Sequence, residues 1–176
     1  MPATATIAEL NGMSREQFVA ALGFLFEHSP WIVEAAWARR PFADRDDLWA
    51  KLVAVVQEAP SERQVALIRA HPDLAASRGH PAAIAGELTA ASTREQASAG
   101  LDRLSPEEYG RFHRLNDAYR ARFGFPFIIA VRENSKESIL RSFEARLDND
   151  RDAEVATALG EIGKIVRLRL ADAVAP

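Results

Sequence analysis

Apolar side chains recur at intervals of three and four residues through most of the chain, and the breaks between runs fall at capping residues, prolines and glycines. Ser14 has Gln17 three positions on, the capping-box spacing, and Phe18, Leu22, Leu25 and Phe26 then share one face, predicting a helix over 14–28. Pro30 can serve as the first residue of a second helix that carries Trp31, Ile32, Ala35 and Ala36 and stops before Arg39. A third starts near Asp44 with Leu48, Leu52, Val55 and Val56. Ser61 and Gln64 repeat the capping-box spacing ahead of Val65 and Ile68, and that helix runs into His71-Pro72. Residues 77–83 read as a loop, and Ser92 with Glu95 opens a helix of small residues from about 93 to 101. Ser105-Pro106-Glu107-Glu108 is a strong start for a helix lined by Phe112, Leu115, Tyr119 and Phe123, with Gly124 as its stop. Ile139, Leu140, Phe143 and Leu147 mark the next, broken by Asp148-Asn149-Asp150, and Val155, Leu159, Ile162, Val166 and Leu170 mark the last. The apolar stretch 127–131 reads as a short strand or a buried extended segment, and one such run without a partner makes no sheet. The pattern predicts an all-α fold: a single-domain bundle of about seven or eight helices, with residues 1–10 a flexible N-terminus.

Composition narrows the function classes. The chain has no cysteine, which excludes disulfides, thiol catalysis and cysteine-based zinc sites. A net charge of −3 lacks the basic excess that nucleic acid demands. The first ten residues show no basic segment leading into an apolar one, and no apolar run approaches the roughly 20 residues needed to cross a bilayer. A soluble, cytoplasmic protein with neither nucleic-acid nor membrane partners is expected.

Candidate chemistry gathers where helical patterns are interrupted. Pro72 removes a backbone donor and disfavours helical conformation at His71, so the imidazole is expected at a helix end, facing the loop that follows. Taken alone, His71 reads as a cation near the negative end of a helix dipole, Ser92 and Glu95 read as caps, and Arg132 reads as a charge returning to solvent. His28 and His113 fall on helical stretches and read as surface side chains. A metal site would need Asp73 and Glu95 to converge on His71 and His80, and no two histidines have the i, i+3 or i, i+4 spacing of a helical metal pair, so no metal is expected. Ser92, His71 and Asp73 could also form a Ser-His-acid triad, although Ser92 lacks the Gly-x-Ser-x-Gly elbow.

Several separate motifs, read together, resemble one family. Phe26-Glu27-His28-Ser29-Pro30-Trp31, Arg40-Pro41-Phe42, His71-Pro72-Asp73-Leu74-Ala75 and Ser92-Thr93-Arg94-Glu95-Gln96 occur in order. Asn116-Asp117-Ala118-Tyr119-Arg120, Phe123-Gly124-Phe125-Pro126-Phe127-Ile128 and Arg146-Leu147-Asp148-Asn149-Asp150 follow. From Asn11 almost to its end the chain resembles the 2-oxo-4-hydroxy-4-carboxy-5-ureidoimidazoline (OHCU) decarboxylases of urate breakdown. The resemblance implies an all-α, usually homodimeric enzyme without cofactors, which converts OHCU to (S)-allantoin and carbon dioxide. It implies that His71 is the catalytic acid/base, with Pro72 a substrate-contacting neighbour. Ser92, Thr93, Arg94, Glu95 and Gln96 would form one wall of the substrate site, with Glu95 a second catalytic group. Ile128, Ile129, Ala130, Val131 and Arg132 would form the opposite wall. Two other classes stay open at this point: a non-catalytic helical module that binds ureides or purines, and a helical adaptor in which His71 and Ser92 only terminate helices.

Overall fold

The computed structural model describes residues 4–75 and 89–176. The loop expected over 77–83, with His80, lies outside the described residues. Among those described, nine α-helices and no strand are found, so the fold is all-α. The one β feature among them is an isolated parallel bridge between Ala5 and Val174. They divide into two compact units, Met1–Leu67 with Ile162–Pro176, and Ile68–Glu161.

In the first unit, Thr6 and Glu9 form a capping box that starts α1 (Ile7–Gly12). This is the helix beyond the expected seven or eight. Residues 7–10, expected within a flexible start, belong to it. Six residues carry too little periodicity to be visible in the apolar pattern. Ser14 and Gln17 form the capping box of α2, which ends at Leu22 rather than 28 (Arg15–Leu22). A one-turn 3-10 helix, Gly23–Leu25, follows, and His28, with φ 46°, sits in an exposed turn instead of a helix. Leu25 and Phe26 are buried all the same, which is why the apolar pattern ran on without a break. Pro30 opens α3 (Pro30–Trp37), and Asp44 caps α4 (Arg45–Glu58). In α4, Leu48, Leu52, Val55 and Val56 are buried as the spacing required. Helix α5 (Ser61–Arg69) departs from expectation at its start. Ser61 is already helical, the N–H groups of Arg63 and Gln64 donate to Pro60 O, and the Gln64 amide donates to Val56 O at 2.9 Å. The proline one residue earlier occupies the cap position.

In the second unit, α6 (Ala90–Ser98) precedes α7 (Pro106–Phe123). Helix α7 starts on Ser105-Pro106 and ends at Gly124, whose φ of 78° is the left-handed C-terminal stop that glycine accommodates without strain. Helix α8 spans Lys136–Arg146, and α9 spans Arg151–Ala173, its last turns counted with the first unit. The core of the second unit is aromatic. Tyr119 lies with its ring centroid 4.5 Å from Phe123, 5.4 Å from Phe127 and 6.0 Å from both Phe125 and Phe143. Phe127 stacks on Phe143 at 3.8 Å. These rings hold residues 125–131 inside the protein without a sheet to pair them.

Candidate active site

The loop after α5 is a buried structure. His71 is 6% exposed, its main-chain N–H donates to Ile68 O at 3.2 Å, and Pro72, Asp73, Leu74 and Ala75 are buried with it. Ala75, four residues after the histidine, has φ 58°, in the left-handed region that residues other than glycine rarely adopt. Three side chains grip this loop. Arg120 Nε donates to Asp73 Oδ1 at 2.7 Å, Asn116 Nδ2 donates to Leu74 O at 2.8 Å, and Gln96 Oε1 accepts from Ala75 N at 2.9 Å. Asn116 and Arg120 stand four residues apart on α7, so one helical face supplies both grips. The Asn116–Arg120 motif marks both residues in the sequence, but their partners, Leu74 and Asp73, lie over 40 positions away and are visible only in the fold.

Helix α6 begins one turn earlier than its serine suggests. Thr89 is the N-cap, its Oγ1 accepting from Ser92 N at 3.2 Å, so Ser92 is the third helical residue and Glu95 the sixth. The predicted Ser92–Glu95 capping box does not form. Ala90 and Ala91, strong helix formers, let the helix propagate back to the threonine. Ser92, Glu95 and Gln96, at i, i+3 and i+4, share one face, and the Gln96–Ala75 hydrogen bond joins that face to the histidine loop. Ser92 is buried, and Glu95 and Gln96 are partly so. Thr93 and Arg94 point elsewhere: both are exposed, and the Thr93 hydroxyl donates to Thr89 O at 2.9 Å.

The stretch expected to be the opposite wall is buried from Ile128 to Val131 and exposed at Arg132. Residues Val131–Glu133 form a one-turn 3-10 helix that packs against α6. The carbonyl of Ile128 accepts from Arg146 Nη1 at 2.7 Å, and that of Ala130 from Asn134 Nδ2 at 2.9 Å. Among the described residues, the main-chain N–H groups of Ile128, Ile129 and Ala130 meet no acceptor, although these residues are 5% exposed or less. Buried N–H groups without acceptors are rare, because each forfeits its hydration. The arrangement suits a ligand that brings carbonyl oxygens. Among the described residues, no three of His, Asp or Glu converge as a metal site requires, and His80 lies outside them.

The OHCU decarboxylase family model matches residues 11–171, nearly the whole chain and both compact units. The chain belongs to the OHCU decarboxylase family. Its relatives include the 2-oxo-4-hydroxy-4-carboxy-5-ureidoimidazoline decarboxylase of Halalkalicoccus jeotgali, 43% identical over 97% of this chain and 93% of that one. The enzyme of the same name from Haloferax volcanii is 42% identical over 95% of each. Among solved structures, (S)-allantoin synthase superposes with a TM-score of 0.74 at 27% identity, covering 97% of this chain and 54% of that one. Membership makes this OHCU decarboxylase family chain a carboxy-lyase by class. No helix among the described residues is long and apolar enough to cross a membrane.

Proposed function

We propose that this chain converts OHCU to (S)-allantoin and carbon dioxide in urate breakdown, acting in the cytoplasm as a homodimer and without metal or organic cofactor. The observation that carries the reading is the hydrogen bond between Ala75 N and Gln96 Oε1. It ties the buried loop of His71 to the helical face of Ser92 and Glu95, which supports reading a base, a carboxylate, a hydroxyl and an amide as one site. The proposed substrate contacts are Pro72, Ser92, Glu95, Gln96 and the main chain of Ile128 to Val131, with Arg132 at the rim.

The substrate supplies its own electron sink. Its carboxylate leaves from a ring carbon next to a C=N bond. The electron pair of the broken C–C bond forms C=C, and the ring nitrogen takes up the negative charge. The resulting enol anion becomes allantoin when its ring nitrogen takes a proton from solvent, the neighbouring carbon gains a proton and the hydroxyl loses one, a net uptake of one proton. A histidine, able to take a proton and then give it back, serves the hydroxyl and carbon transfers in turn. His71, buried between Ile68 and Pro72, offers a proton from a fixed direction, which is what one enantiomer requires. Glu95 orients the imidazole or accepts from the ureido N–H groups. The N–H groups at 128–130 match ring and ureido carbonyls. Arg132 is assigned to oxygen on the developing enolate, because strong stabilisation of the departing carboxylate would hold back its loss.

Freshly generated OHCU, followed by circular dichroism, tests the reading. The expected result is fast appearance of the (S)-allantoin signal, unaffected by exhaustive chelation. Binding of allantoin without accelerated decarboxylation would leave a ureide-binding module instead, and loss of activity restored by one divalent metal would overturn the cofactor-free route.

A further inference from the structure

The Arg146-Leu147-Asp148-Asn149-Asp150 stretch takes no part in the chemistry above, yet its arginine is 8% exposed and fully engaged. Arg146 Nε lies 3.1 and 3.0 Å from the two oxygens of Glu154, and Nη2 lies 2.9 Å from Oε2. Glu154, 0% exposed, also accepts from Tyr119 Oη at 2.8 Å and Asn149 Nδ2 at 3.1 Å. Burial, reinforced by the bond to Glu154, pushes the Tyr119 phenol well above its ordinary pKa, so it remains a donor. The guanidinium sits 4.3 Å above the Phe127 ring. Its remaining nitrogen, Nη1, reaches Ile128 O at 2.7 Å. A buried ion pair is a weak source of stability, since desolvation cancels most of its attraction. Its use here is directional.

The peptide joining Ile128 to Ile129 is trans, the cis bond among the described residues being Arg40–Pro41. In a planar trans peptide the C=O and the N–H point in opposite directions. Fixing the Ile128 carbonyl on Arg146 therefore fixes the Ile129 N–H on the reverse side, where no described residue accepts it. The same logic repeats two peptides on, where Asn134 and the Glu133 N–H hold the Ala130 carbonyl and so fix the Val131 N–H. We propose that Arg146, seated by Glu154 and Tyr119, is a positioning residue that aims the Ile129 N–H at a carbonyl oxygen of the bound ureide. The proposal rests on the reading of residues 128–132 as a substrate wall.

The test uses the full chain labelled with 15N and (S)-allantoin as the probe. In the unsubstituted protein the Ile129 amide resonance should shift and saturate. Arg146→Lys keeps a cation against Glu154 but cannot fork to both Glu154 and Ile128. In that variant the Ile129 shift should be lost, with allantoin affinity and kcat/KM down roughly tenfold or more, while amides remote from residue 129 stay put. Tyr119→Phe, which removes one donor to Glu154, should weaken the same response in the same direction, and it decides the matter if Arg146→Lys does not fold. An Ile129 amide that titrates identically in the folded variants overturns the role of Arg146 alone. An Ile129 amide silent in the unsubstituted protein overturns the substrate wall and the proposal together.

Discussion

At the scale of single residues, the histidine was the most legible feature, because Pro72 dictates where a helix must stop and the structure ends α5 two residues before His71. His71→Asn keeps hydrogen-bonding capacity but cannot cycle a proton near neutral pH. It should still bind allantoin, yet give product no faster and no more enantiopure than OHCU left in buffer, as read by circular dichroism. The serine and glutamate of α6 were misread as caps, since Ser-x-x-Glu has capping-box spacing wherever it falls in a helix. With Thr89 as the N-cap, the two roles separate by substitution. Thr89→Ala should cost about 0.5–2 kcal/mol in denaturant unfolding. Glu95→Gln, deep in the second turn, should leave stability nearly unchanged and lower turnover roughly 10²-fold or more. Near-normal turnover of Glu95→Gln would remove the carboxylate from the mechanism.

Among the elements, those with punctuation at both ends could be read closely. Helix α7 carries a serine cap, a proline in its first turn and a glycine stop, and all three act as read. Gly124→Ala should destabilise by about 1–2 kcal/mol, because its φ of 78° is costly for any residue with a Cβ, whereas the room there is ordinary, with Arg69 Nη2 3.6 Å from an added carbon. Chemical denaturation measures this directly. Elements without punctuation were misjudged. The turn from Gly23 to His28 keeps burying apolar side chains after the α-helix has ended, so periodicity could not locate the change. The stretch 127–131 was legible as a short strand or a buried extended segment, but the bracing of its Ile128 carbonyl was not, because the partner, Arg146, stands 18 residues away.

For the molecule as a whole, the all-α class followed from periodicity, and the family followed from motif order over nearly the full length. The polar groups that brace the site were hidden because their partners are far apart in sequence: Asp73 with Arg120, Leu74 with Asn116, Tyr119 with Glu154. That bracing has a signature in global stability. The Tyr119 phenol holds its proton more tightly in the folded chain than at its ordinary value of 10.0. Its contribution is therefore complete below about pH 10 and falls as the pH climbs beyond it, since the unfolded chain then gives up a proton that the folded chain keeps. In a Tyr109→Phe background, Tyr119 is the sole tyrosine of the two, and its phenolate absorbance should rise only together with loss of helical signal. The bridge between Ala5 and Val174 has another consequence. Ala5 N donates to Ala173 O at 3.0 Å and Ala175 N to Ala5 O at 2.9 Å, so residue 5 lies beside residues 173–175. In a linear chain that meeting closes a loop that takes in nearly all of the described residues, and the entropy of doing so is lost at folding. A backbone sealed head to tail by a short peptide would have surrendered that freedom before folding began, so the closed ring should resist unfolding and fraying without a single new contact.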